Sequence, residues 1–160
     1  MAQYALGAQG WTPVAHADGA SALANNSYQG CRTTTAANTI RLVEVFVGGE
    51  ATSSTVNRMA YRRVSTQVAT PTAVTPGGLN PASQASLAAG YVAATTGPTI
   101  ASTAHLLDLA FNAFGGVIRW VAAPGEELWQ IGTAGPNTEG VFDSISGTGV
   151  VSSNLKLEEM

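Results

Sequence analysis

The sequence predicts an all-β chain, an antiparallel β-sandwich or a jelly-roll-like barrel, and three observations predict it. Short runs of β-branched and aromatic residues recur along the chain. Several of them alternate apolar and polar side chains with a period of two, which is the pattern of a half-buried strand. Clusters of Gly, Pro, Asn and Ser separate the runs, and no stretch keeps an amphipathic 3.6-residue period for long. Roughly six to nine short strands follow from that spacing, in one sandwich domain spanning residues 1–160.

Residues 1–38 read as an irregular N-terminal arm with a few apolar anchors, Tyr4, Leu6, Trp11, Val14 and Tyr28. One short strand is expected there, near 2–6 or 11–15. The first strong strand is "IRLVEVFV" over 40–47, closed by Gly48-Gly49. Strict alternation places Ile40, Leu42, Glu44 and Phe46 on one face and Arg41, Val43, Val45 and Val47 on the other. Both faces are then mostly apolar, so something is expected to cover each side. A second strand follows in "VNRMAYRRVS", 56–65. Here Met59 and Tyr61 share a face with Asn57 and Arg63, and Arg58 and Arg62 lie opposite with Ala60.

Residues 66–104 form a long loop-rich excursion, punctuated by Pro71, Pro76, Pro81 and Pro98. Within it "ASQASLAAGYV" is compatible with one or two helical turns. Regularity returns in "LLDLAFN", where Leu107, Leu109 and Phe111 alternate with Asp108, Ala110 and Asn112. "GGVIRWVA" and "ELWQIG" follow as two strands joined through Pro124-Gly125, a dipeptide suited to the centre of a type II turn. "TAGPNTEGVFDSISGTG" reads as loop with a short apolar "GVF", and "VVSSNLKLEE" closes the chain as a strand.

The polarity of the chain comes from Thr, Ser, Asn and Gln. Charged residues make up only 11%, against about 25% in an ordinary globular chain. A surface with so little ionic repulsion suits being covered by another protein. The net charge is −3, with six Arg and a single Lys among the basic residues. That removes the basic excess that non-specific nucleic-acid binding relies on. The lone Cys31 excludes an intrachain disulfide or a cysteine-rich metal site. The first residues show no secretory signal pattern, and no apolar run approaches the roughly 20 residues of a membrane span.

A search for chemistry finds little. Glu126 and Glu127 are adjacent, and neighbours on a strand point to opposite faces, whereas paired-carboxylate hydrolysis needs facing groups about 5–10 Å apart. There is no nucleophile elbow, no phosphate-binding glycine loop, and no metal-type spacing around His16 or His105. His105 is expected as a turn or edge residue. Trp120 and Trp129 are expected to pack in or beside the core. Arg58, Arg62 and Arg63 form the one charge cluster, expected either as a solvated strand face paired with Glu44 or Glu50 or as a patch meeting an acidic partner.

The order of "IRLVEVFV", an Arg-bearing strand, the excursion "TPGGLNPASQAS", "GGVIRWVAAPGEELWQIG" and an acidic terminal strand resembles small virion proteins of tailed bacteriophages. In particular it resembles capsid decoration, or cement, proteins of β-sandwich or jelly-roll-like fold. The resemblance covers residues 40–160 in layout and rests on strand and loop composition. It implies a non-enzymatic virion structural protein on the capsid exterior, assembled in the host cytoplasm. Such a protein bridges neighbouring copies of the major capsid protein and self-associates, as a trimer first and a dimer second. No cofactor, no metal, no nucleic acid and no membrane enter that reading. The residues expected to face partners are Tyr4, Trp11, Tyr28, Arg58, Arg62 and Arg63. The alternative is a phage fibre or carbohydrate-binding module using Trp120, Trp129 or Tyr91 as a stacking platform.

Overall fold

Two antiparallel sheets pack face to face, and among the described residues there is no helix. A computed structural model of the chain describes residues 1–18, 23, 28–35, 38–66, 69–101, 104–131 and 139–160. The strands in chain order are β1 (Ala2–Trp11), β2 (Tyr28–Thr33), β3 (Thr39–Glu50), β4 (Val56–Thr66), β5 (Ala69–Val74), β6 (Gly77–Gly78) and β7 (Ala88–Thr96). Then come β8 (Thr99–Ile100), β9 (Leu107–Asn112), β10 (Phe114–Val121), β11 (Leu128–Ile131), β12 (Glu139–Ser146) and β13 (Val151–Glu159). The first sheet runs β10-β3-β13-β1-β6, with β11 also on β3. The second runs β5-β7-β2-β12-β4-β8, with β9 also on β4. The sandwich is therefore open, and the barrel alternative does not apply.

The core is built where the inner faces of the sheets meet. Leu6, Ile40, Leu42, Val45, Val47, Leu155 and Leu157 of the first sheet meet Cys31, Met59, Tyr61 and Phe142 of the second. A buried polar relay ties the layers together. The Trp11 indole donates to Ser153 Oγ (2.9 Å), Ser153 donates to Gln29 Oε1 (2.6 Å), and Gln29 Nε2 donates to Leu6 O (2.9 Å). Each member both fills space and satisfies its neighbour, which is what burial of these groups requires.

The parity of "IRLVEVFV" differs from strict alternation, and a bulge is the reason. Lys156 lies opposite Glu44 and Leu157 opposite Leu42, so Val43 is an extra residue on β3. Ile40 and Leu42 before the bulge, and Val45 and Val47 after it, all face the core. Arg41, Glu44 and Phe46 are left on the outer face. The apparent two-sided hydrophobicity was one apolar face read across a register shift.

The N-terminal region is also more regular than an arm. β1 pairs with β13 along almost its whole length and with β6 on its other side, while β2 lies between β7 and β12. Within β1, Tyr4, Leu6, Ala8 and Trp11 share the buried side because a second irregularity between Ala8 and Trp11 resets the period. The middle segment holds β5, β6, β7 and β8 rather than loops alone, and the run expected to allow helical turns enters β7. β12, expected as loop, is an eight-residue strand in the middle of the second sheet.

The Pro124-Gly125 turn has the predicted local form and a different consequence. Glu126 N–H donates to Ala123 O (2.9 Å), and Gly125 takes φ 90°, the left-handed value the third position of a type II turn demands. The strands on either side do not form a hairpin. β10 pairs with residues 44–50 of β3 and β11 with residues 39–42, both antiparallel to it. They form one edge, interrupted by the turn.

Candidate functional site

The outer faces of the two sheets are the candidate surfaces, and they differ. Leaving β1 of the first sheet, the chain passes as a strap over residues 12–18 across the outer face of the second sheet, where His16 N–H donates to Ser144 O (3.2 Å). Beneath and beside it, Leu23, Tyr28, Val64, Tyr91, Ile100 and Val141 form a second, smaller apolar cluster. The Tyr91 ring lies over Gly30, where an added Cβ would sit 2.2 Å from it. Glycine at 30 is a steric requirement. Tyr28 meets Tyr91 edge-on, with ring centroids 5.9 Å apart and an interplanar angle of 82°.

Under the strap a charged pair is buried, and beside it a second cluster stays partly exposed. The Arg62 guanidinium pairs with the Asp143 carboxylate, both fully buried, and the His16 ring contacts both. Arg62 also reaches Asp18 O (3.4 Å). His105 stands between two carboxylates, Asp18 (2.6 Å) and Asp108 (3.4 Å), and Asp108 in turn takes Arg58. The Arg58 and His105 contacts hold the Asp108 carboxyl below its ordinary range. Tyr91 donates to the buried Glu139, which also faces Arg32 at 3.5 Å. Desolvation and that carboxylate push the Tyr91 phenol well up.

These positions correct the expected partner-facing set. Tyr4, Trp11, Tyr28 and Arg62 are inside the fold, and Arg62 has no exposed area at all. Arg58 keeps an exposed side chain but is engaged with Asp108, and Arg63 donates to Trp129 O (3.1 Å). None of the three arginines meets Glu44 or Glu50 in these contacts. Tyr91 is buried and so presents no platform, and Trp129 lies under the Arg41 guanidinium at 5.5 Å from its centroid. Trp120 packs half-buried against the core, as expected.

Among the described residues, no segment crosses the outer face of the first sheet. Around the β3 bulge, Glu44 receives Arg119 (2.8 and 3.1 Å) and Lys156 (2.7 Å), while Arg41 bonds Glu158 (2.6 Å) and Glu127 (3.2 Å). Hydrogen bonds from Arg119 and Lys156 lower the Glu44 carboxyl, and Gln3 and Arg41 do the same for Glu158. Between these groups lies a groove of about 330 Å³, rimmed by Leu79, Val121 and Pro124. A shallower trough of about 470 Å³ continues past Phe46 over Gly48 and Ser152. Phe46 is 41% exposed, Val117 64% and Val121 54%. Sequence reasoning missed this cluster because Glu44, Arg119 and Lys156 are far apart along the chain and only the β3 register brings them together.

The remaining candidates have structural places. Glu126 lies exposed on the turn, and Glu127 binds Arg41 and accepts from Gly125 N–H (3.1 Å). Cys31 sits between the Tyr61 hydroxyl and the Gln130 amide, each 3.6 Å away, and burial pushes its thiol up to about 12. Among the described residues, no group of three or more His, Cys, Asp or Glu is arranged to hold a metal ion. Comparison with protein-family models, with characterised proteins and with solved structures finds no match to this chain.

Proposed function

We propose that this chain is a virion structural protein that attaches to the outside of a phage capsid, bridges major capsid subunits and acts by contact rather than by catalysis. The observation that carries the reading is the bare outer face of the first sheet. Phe46, Val117 and Val121 stand exposed there on a hydrogen-bonded sheet whose charges are already paired with each other. Such a face offers apolar area without unpaired charge, and apolar area gains about 25 cal/mol per Å² when a partner removes it from water. A specific attachment buries on the order of 1,200–2,000 Å², and repetition around a symmetric shell multiplies weak contacts. The stiffness of the sandwich supports the same reading, since a bridge between subunits must hold its shape.

Electron microscopy of empty shells of the carrying phage, mixed with the purified protein, tests this. Added density at symmetry-related positions on the shell exterior is the expected result, and Phe46→Asp should remove it. Shells that stay bare at saturating protein would overturn the reading.

A further inference from the structure

We propose that the free edge of β10 is a self-pairing surface, where a second copy of this chain lays its own β10 antiparallel about a two-fold axis at Arg119. The inference does not depend on attachment to a shell.

Among the described residues β10 pairs with β3 alone. The N–H of Ala122, just past its end, turns inward to Val43 O (2.9 Å), while on β3 the N–H of Glu50 turns away from β10 to Val150 O (2.8 Å). Alternation along an antiparallel ladder then directs the N–H and C=O of Val117, Arg119 and Val121 to the open side. Eight residues without proline present that row. Among the other edge strands, β6 and β8 are two residues long, β5 carries Pro71, and β11 continues the β10 edge with four residues.

The side chains agree with a covered position. β9, on the same flank, buries Leu109 and Phe111 and exposes Asp108, Ala110 and Asn112, as a finished edge does. On β10 the outward Val117 and Val121 are exposed and the inward Ile118 and Trp120 are only half-buried. A strand apolar on both faces belongs in the interior of a sheet.

A second copy fits because residues 117–121 are self-complementary. With Arg119 on the axis, Val117 meets the partner's Val121 on the outer face and Ile118 meets the partner's Trp120 on the inner face. The two arginines at the axis would repel if bare. Each arrives with the Glu44 carboxylate of its own chain against the guanidinium, at 2.8 and 3.1 Å, which offsets part of that repulsion although Glu44 is shared with Lys156. The outward backbone groups of Val117, Arg119 and Val121 then all find partners across the axis.

Analytical ultracentrifugation of the full chain at micromolar concentration tests the proposal. The wild type should sediment at twice the chain mass. Val121→Pro removes an outward N–H and should sediment as a monomer with an unchanged circular-dichroism spectrum. If that variant misfolds, the double variant Val117→Lys with Val121→Lys makes the same test. Arg119→Cys should give an interchain disulfide on mild oxidation, since hydrogen-bonded antiparallel partners lie about 5.5 Å apart at Cα. A wild-type monomer, a trimer, or a dimer indifferent to these changes and without the Arg119→Cys cross-link overturns it.

Discussion

Beneath the strap, the outer face of the second sheet holds Arg62 and Asp143 fully buried and its aromatics covered, whereas on that of the first Arg119 and Lys156 reach the surface and Phe46, Val117 and Val121 stand exposed. Both faces belong to antiparallel sheets of similar composition. The difference is the chain passing over them: residues 12–18 lie across the second sheet, and among the described residues no comparable segment crosses the first. A covered sheet face becomes a second core in which every charge must find a partner. A face that no described segment crosses can keep Arg119 and Lys156 at the surface around Glu44 and offer Phe46, Val117 and Val121 to something else.

The largest test of that contrast is at the buried pair. Arg62→Ala leaves Asp143 buried beside His16 without its guanidinium and should cost about 3–5 kcal/mol in denaturant unfolding. Replacing both, with Arg62→Met and Asp143→Leu, should recover much of that loss, because the penalty lies in the orphaned charge. Lys156→Ala on the bare face removes one of two cations from Glu44 and should cost under about 1 kcal/mol. Equal losses at the two sites would remove the distinction between the faces. Next in size is Gly30→Ala, where the new Cβ would strike the Tyr91 ring and displace it from Tyr28 and Glu139. Overpacking of this kind costs about 1–3 kcal/mol.

The contrast also explains what the sequence makes legible. Fold class, the inward set Met59 and Tyr61 on β4, and the alternation of β9 follow from period-two patterning, and the structure has them. β1 and β3 each carry an irregularity, near Gly10 and at Val43, so a strict period fails across them although every local residue choice is strand-like. β12 escaped detection because Glu139, Asp143 and Ser144 look like loop residues until Tyr91, Arg32 and Arg62 are known to meet them. The strap failed for a related reason: Pro13 and His16 carry no periodic signal, and their burial depends on a sheet made from distant strands. Local patterning records which side chains avoid water. It does not record which polar group will meet which.

Acid separates the faces on the smallest scale. Glu44 and Glu158 on the bare face, and Asp108 on the flank, have folded-state pKa values below their ordinary range, chiefly through hydrogen bonds from Arg119, Gln3 and Arg58 respectively. A carboxylate with a depressed folded pKa stabilises the fold above its unfolded value of about 4 and loses that contribution as pH falls through the folded one. The melting temperature should therefore hold steady from pH 7 to 5 and decline below about pH 4. Added salt should shrink the part of the decline contributed by Glu44, because its partners Arg119 and Lys156 are 57% and 35% exposed and open to screening. Glu44→Gln should remove the same part by leaving Arg119 and Lys156 without a titrating partner. A decline that is identical in Glu44→Gln and insensitive to salt would show that the Glu44 cluster contributes nothing to the acid lability.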